Sequence, residues 1–210
     1  MAMKFYMAPG SCTTGIHILL EELDLAFEVY IVNLPAGDHL KPDYLAINPK
    51  STIPTLVLDD GRPLTEFQAI AWWLARSYPK ARLLPEDAVG ETLVLETMDY
   101  VVQTLHGQGF ARIFATDKFA LRPEDHEAIK EQGRQIVAKG FAILDSVLAG
   151  GSYLTGAFSI ADAALFYVEF WADKLGIELP PNCQSHFRLM LSRPAVRRVL
   201  REEGYHSLVA

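Results

Sequence analysis

The chain has 210 residues, half of them apolar, and a formal net charge of −7. That much apolar matter supports a sizeable core, so a disordered chain is not expected. The acidic balance argues against nucleic-acid or anionic-membrane binding, which draws its affinity from a basic face. The two cysteines, Cys12 and Cys183, lie far apart. They suggest neither a disulfide framework nor a zinc site, and a reducing, cytoplasmic setting is expected.

Met1-Ala-Met-Lys-Phe-Tyr lacks a charged lead followed by an apolar run, so no signal peptide is expected. Lys4 to Met7 reads as a strand, and Pro9-Gly10-Ser11-Cys12 as a turn. Ile16, Leu19, Leu20 and Leu23 then share one helical face, with Thr13 or Thr14 as the cap. Phe27 to Val32, rich in aromatic and β-branched residues, reads as a second strand, parallel to the first through a right-handed crossover. A polar connection from Leu34 to Lys50 follows, with one helical turn at Asp43 to Ile47. Thr55 to Asp59, the Asp60-Gly61 turn and Pro63 to Thr65 form a hairpin. A helix starts at Glu66, with Phe67, Ile70, Ala71, Leu74 and Tyr78 on one face.

The fold class is therefore βαβ followed by ββα, then an all-helical part. Residues 1–80 form the first domain, 81–86 the proline-bearing linker and 87–210 the second domain. In the second, Glu91 to Phe114 is helical in pattern, loosened by Gly107 and Gly109. Pro123 opens a helix that Gly150-Gly151 stops. Ser159-Ile160-Ala161-Asp162 resembles a capping box, in which Ser159 bonds the amide three residues on. The helix behind it, Ile160 to Leu175, is apolar nearly all round and should be buried; the longest apolar run, near Ile160 to Trp171, is interrupted by Asp162 and Glu169 and is too short to cross a bilayer.

Several residues carry candidate chemistry. The Ile53–Pro54 bond is expected to be cis, turning the Ile53 backbone outward to pair with an extended peptide. A trans proline opening a strand is the alternative. Cys12 starts a helix, where amides and dipole lower a thiol's pKa; it reads equally as a small buried hydrophobe. Thr65-Glu66 opens another helix, whose amides suit a ligand carboxylate while Glu66 suits an ammonium. An ordinary acidic first-turn residue explains Glu66 as well. His106 and Asp99, seven residues apart, could project from one side. No His, Cys or Asp group has metal-ligand spacing, so no metal is expected.

Taken in order, Pro9-Gly10-Ser11-Cys12, Asn48-Pro49-Lys50, Ile53-Pro54, Leu64-Thr65-Glu66, Thr104-Leu105-His106, Ser159-Ile160-Ala161-Asp162 and Arg193-Pro194 resemble the cytosolic glutathione transferases, most closely the bacterial beta class. The resemblance covers essentially the whole chain. It implies a thioredoxin-like N-terminal domain, an all-α C-terminal domain and a homodimer with its active site between domains. It implies glutathione as co-substrate, bound by Ile53, Pro54, Thr65, Glu66, Phe67 and Asp99. Cys12, Thr13 and His106 are the catalytic candidates; Phe110, Arg112 and Phe114 line a pocket for a small hydrophobic electrophile. Phe67 replaces the usual Ser or Gly, Tyr6 stands one position before the usual tyrosine, and Lys41 is the stand-in for the glutathione-binding lysine. The implied reaction is conjugation of the glutathione thiol to that electrophile. A thiol-disulfide reductase acting through Cys12 and a non-catalytic binder are the alternatives on the same scaffold.

Overall fold

The computed structural model describes residues 2–209; Met1 and Ala210, the outer ends of the two expected domains, lie outside the described residues. The chain forms two compact units: residues up to Leu84 together with those from Met190 onward, and Pro85–Leu189.

The first unit is built on four strands, β1 (Met3–Met7), β2 (Phe27–Ile31), β3 (Thr55–Val57) and β4 (Pro63–Thr65), in the order β2-β1-β3-β4. β1 pairs parallel to β2 and antiparallel to β3, and β3 pairs antiparallel to β4. The parallel pair requires a crossover, supplied by α1 (Thr13–Glu22). β1 buries Met3, Phe5 and Met7 and leaves Lys4 and Tyr6 on its other face, the period of two that a half-covered strand requires. Tyr6 accordingly stacks on Tyr30 and meets Tyr44 edge-on, away from the Met7 side. Pro63 opens the edge strand β4, where a missing amide costs no ladder bond. The short α2 (Pro42–Leu45) follows β2, and α3 (Phe67–Ser77) follows β4. This is the expected thioredoxin-like arrangement.

α9 (Pro194–Glu202) packs with this unit. The reason is physical. α9 buries Ala195, Val196, Val199 and Leu200 while its arginines stay on the other side, and it packs on α1. Arg193 and Arg198 then pair with Glu22 and Glu21 of α1, each at 2.7 Å.

The second unit is all helical. One rod runs through α4 (Ala88–Asp99), a wider π-wound stretch (Tyr100–Phe110) and α5 (Ala111–Phe114). α6 (His126–Leu148) and α7 (Ile160–Leu175) lie against it; α8 (Pro181–Ser192, reaching just past the unit's end) is tied to α6 through Asn182 and Asp145 and to α7 through His186 and Glu169. Gly133 of α6 sits so close that an added Cβ would stand 2.8 Å from the Gly109 carbonyl oxygen. α7 is buried from Ile160 to Ala172, as expected. Its N-terminus carries the expected capping box: the Ser159 hydroxyl accepts from the amide three residues on and also from the Ala161 amide, while Asp162 accepts from the Ser159 amide at 2.8 Å. Among the described residues no helix is long and apolar enough to cross a membrane.

Candidate functional site

The candidate site of the first unit gathers at the C-terminal end of β1 and the loop before β3. Cys12 is the N-cap of α1, and neither Thr13 nor Thr14 caps that helix with its side chain. Thr13 instead closes the preceding turn. Its hydroxyl donates to the Ala8 carbonyl (3.0 Å), accepts from the Ala8 amide (3.2 Å) and meets Ser11 Oγ (2.8 Å). Thr14 Oγ1 donates to Glu203 Oε2 (2.7 Å), an acceptor it shares with the Gly10 amide (2.8 Å). Gly10 has φ +72°, and an added Cβ there would collide with the Tyr205 ring. No other residue type fits that point of the loop.

The Cys12 thiol points at the Ile53 carbonyl, Sγ to O 3.7 Å, so the loop before α1 and the residue before Pro54 come together. The Ile53–Pro54 peptide is cis. β3 begins only at Thr55, and the Ile53 amide has no hydrogen-bond partner among the described residues. Asn48 anchors this bend: its side-chain amide donates to the Thr52 carbonyl (2.8 Å) and to Thr55 Oγ1 (3.0 Å).

Cys12 departs from the helix-terminus expectation. Burial pushes its thiol up to about 12, with the Glu66 carboxylate adding to the rise; its own and Thr13's backbone and the Ser11 side chain pull the other way without winning. Desolvation of a thiolate outweighs a helix dipole when the sulfur is this enclosed. At neutral pH the group is a thiol, able to donate a hydrogen bond.

Glu66 is the N-cap of α3 at φ +71°, a region that side-chain-bearing residues rarely occupy. Its carboxylate is exposed and meets Lys50 Nζ at 2.9 Å, and the same ammonium donates to Thr65 Oγ1 at 2.8 Å. Lys50 was visible in sequence only as part of Asn-Pro-Lys; the fold of the 48–55 loop places it here. Lys41, by contrast, pairs with Asp38 of its own connection. The Phe67 side chain is buried, leaving its backbone amide at the first turn of α3.

In the second unit, His106 Nδ1 lies 3.2 Å from the Tyr167 hydroxyl, and its ring meets Trp171 edge-on at 4.9 Å. Burial pushes it down to about 4, so the ring is neutral at pH 7. Asp99 is exposed. The π-wound stretch between them has turns wider than 3.6 residues, which removes the geometry on which their sharing a face rested. Phe110 is fully buried against Phe141, Phe114 and Trp171, so it is core rather than pocket lining. Arg112 donates to the Gln108 carbonyl (2.6 Å) and lies 4.5 Å over the Phe119 ring. Phe114 alone of the three is exposed, at 53 %. An open hollow of about 580 Å³ begins at Phe119 and is lined by Leu121, Arg122, Asp125 and Ile129, beyond the expected lining.

Comparison with known proteins places these arrangements. Residues 10–77 match the family model "Glutathione S-transferase, N-terminal domain", and residues 127–202 match "Glutathione S-transferase, C-terminal domain". The chain is 35 % identical over 211 residues to the glutathione S-transferase GstA of Escherichia coli O157:H7, covering 96 % of this chain and 99 % of that protein. A glutathione transferase homolog from Sulfitobacter, solved with bound glutathione, superposes with a TM-score of 0.88 at 30 % identity, covering 96 % and 98 % of the two chains. A bacterial beta-class enzyme from Sphingomonas chungbukensis gives 0.84 at 28 %, covering 96 % and 99 %. With both parts of the chain matched and its near-full length shared with these relatives, the protein belongs to the glutathione S-transferase family.

Proposed function

We propose that this transferase conjugates glutathione to small hydrophobic electrophiles, and that the tripeptide lies along the 50–66 edge of the first unit. The observation that carries the reading is the unpaired Ile53 amide at the end of β3, flanked by the Cys12 thiol on one side and by Lys50, Thr65 and Glu66 within the same unit. An extended peptide takes main-chain hydrogen bonds from such an edge. The amino-acid end of a γ-glutamyl group carries both charges. Glu66 suits its ammonium; Lys50 and the first-turn amides of α3 suit its carboxylate.

The sulfur chemistry follows from Cys12 being neutral. A buried thiol that donates can stabilise a neighbouring glutathione thiolate, each unit of pKa lowering being worth about 1.4 kcal/mol. It cannot itself serve as a ready nucleophile. This favours conjugation over a reductase cycle through Cys12. The exposed Phe114 ring is the apolar surface we assign to the second substrate. A homodimer and a cytoplasmic location accord with the family likeness, and exposed Trp72 on α3, with Val89 and Leu93 on α4, supplies apolar surface for self-association.

Turnover of glutathione with a chlorinated nitrobenzene tests the reading, alongside calorimetric titration with glutathione alone. Conjugate formation and saturable heat are expected. Heat without turnover would favour a binding protein, and the absence of both would end the proposal.

A further inference from the structure

We propose that α1 and α9 carry a divalent transition-metal site, formed by His17, Glu21 and Glu202 and best suited to zinc. His17 lies in the middle of α1 with its side chain only 3 % exposed. Its Nδ1 stands 2.9 Å from Glu203 Oε1, a carboxylate that is itself buried. With Nδ1 donating to that carboxylate, a neutral tautomer directs its Nε2 lone pair the other way. That lone pair is buried and without a hydrogen-bond partner, yet Glu202 Oε2 lies 3.2 Å from it. Two lone-pair atoms held so close repel unless a positive centre sits between them.

The spacing suits such a centre. Ligands about 2.0–2.1 Å from a tetrahedral zinc lie roughly 3.3 Å apart, close to this separation. Glu21 follows His17 by one helical turn and offers a third atom; the three ligand atoms lie within 4.8 Å of one another. Imidazole nitrogen with two carboxylate oxygens suits zinc and its first-row neighbours. Glu202 is half exposed, which leaves a coordination position for water. The groups around the site are complete in type: Glu203 behind the ring orients it, as carboxylates do for metal-bound histidines, and Arg198 holds Glu21 Oε2 at 2.7 Å. Three carboxylates against one guanidinium leave a deficit that a dication cancels. The neighbouring Glu22 is already paired with Arg193. Sequence spacing could not show the set, because its ligands come from helices at opposite ends of the chain.

Such an ion would pin α9 to α1 and, through Glu203, the Gly10–Thr14 turn beneath Cys12. The proposal is independent of whether glutathione binds. Its rival is an imidazolium held between Glu202 and Glu203 with no ion present.

Titrating chelator-treated full-length protein with zinc chloride by calorimetry decides between them. One zinc per chain is expected, weakened at least about tenfold in Glu202→Gln and in Glu21→Gln, and unchanged in Cys12→Ser. Glu202 is exposed enough that its glutamine variant should fold, which circular dichroism checks. No stoichiometric binding, wild-type affinity in either glutamine variant, or loss of binding in Cys12→Ser would each overturn the site.

Discussion

Glu203 is the residue whose loss should do most damage from furthest away in sequence. Its buried carboxylate accepts from the Gly10 amide (2.8 Å), the Thr14 hydroxyl (2.7 Å) and His17 Nδ1 (2.9 Å). A hydrogen bond to a charged group contributes roughly 1.5–3 kcal/mol, and orphaning a buried donor costs more than replacing the pair. Three such bonds on one group do not add, since they share one desolvated charge. Breaking a buried pair by removing one partner typically costs about 3–5 kcal/mol, and that is the loss expected for Glu203→Ala. Glu203→Gln keeps one acceptor oxygen and should lose about half as much. The assay is urea unfolding of chelator-treated protein, read by circular dichroism. A second readout separates the loop from general instability. With its anchor gone, the Gly10–Thr14 turn should loosen and Cys12 should react faster with iodoacetamide in native buffer. A loss below about 1 kcal/mol, or a large loss with unchanged Cys12 reactivity, would refute the argument.

Cys12 of the wild type should be sluggish: with its thiol pushed up to about 12 from 9.0, the thiolate fraction at pH 7 falls about a thousandfold, and alkylation should keep accelerating past pH 10, whereas a plateau near pH 8 would show an activated thiol. In the second unit, burial opposes charge on His186, but Glu169 at 2.9 Å and Asp162 at 3.3 Å outweigh it and raise the imidazole to about 10. Burial pushes Glu169 the opposite way for a pair, up to about 7; we take the imidazolium as ruling, because two carboxylates face it. Since the folded value lies above the ordinary 6.5, this stabilisation is complete below about pH 6.5. It drains away as pH climbs towards 10, by up to about 1.4 kcal/mol per pH unit. Unfolding free energies measured from pH 6 to 10 should fall, and a rise across that window would reverse the assignment. Gly133→Ala should destabilise the second unit by up to about 2 kcal/mol in urea unfolding. The new methyl would stand 2.8 Å from a backbone oxygen that cannot swing aside, and overpacking of about 1–3 kcal/mol exceeds the roughly 1 kcal/mol gained in helix propensity. A neutral or stabilising result would show the helices free to part.

Local pattern carried much of this fold. The alternation of Met3, Phe5 and Met7, the apolar face of α3 and the all-round apolarity of α7 each report a period that burial then confirms. Where sequence reading went astray, a distant partner decided. Thr13 and Thr14 suggest caps, but Ala8 and Glu203 claim their hydroxyls. Cys12 at a helix start suggests a lowered pKa, but enclosure reverses the sign. Lys41 lies in the right connection and is tied to Asp38, while Lys50, nine residues on, is carried to Glu66 by a bend that Asn48 holds. Phe110 and Phe114 differ by one turn, yet only the arrangement of α6 and α7 makes the first core and the second surface.

The C-terminal segment, matched as part of the C-terminal domain, packs with the first unit. Residues 8–12 contain a proline and a glycine at positive φ, and their local bonds are few: the Ser11 amide to the Ala8 carbonyl (3.1 Å) and the Thr13 hydroxyl closing the same turn. A further anchor comes from a carboxylate just past α9, held in place because α9 buries one apolar face on α1. A loop that positions a sulfur needs a rigid support, whereas the chain nearest to it in sequence is either strand end or helix start. Returning the last segment of the chain to the first unit meets that need, and it makes the geometry around Cys12 depend on residues nearly the whole chain away.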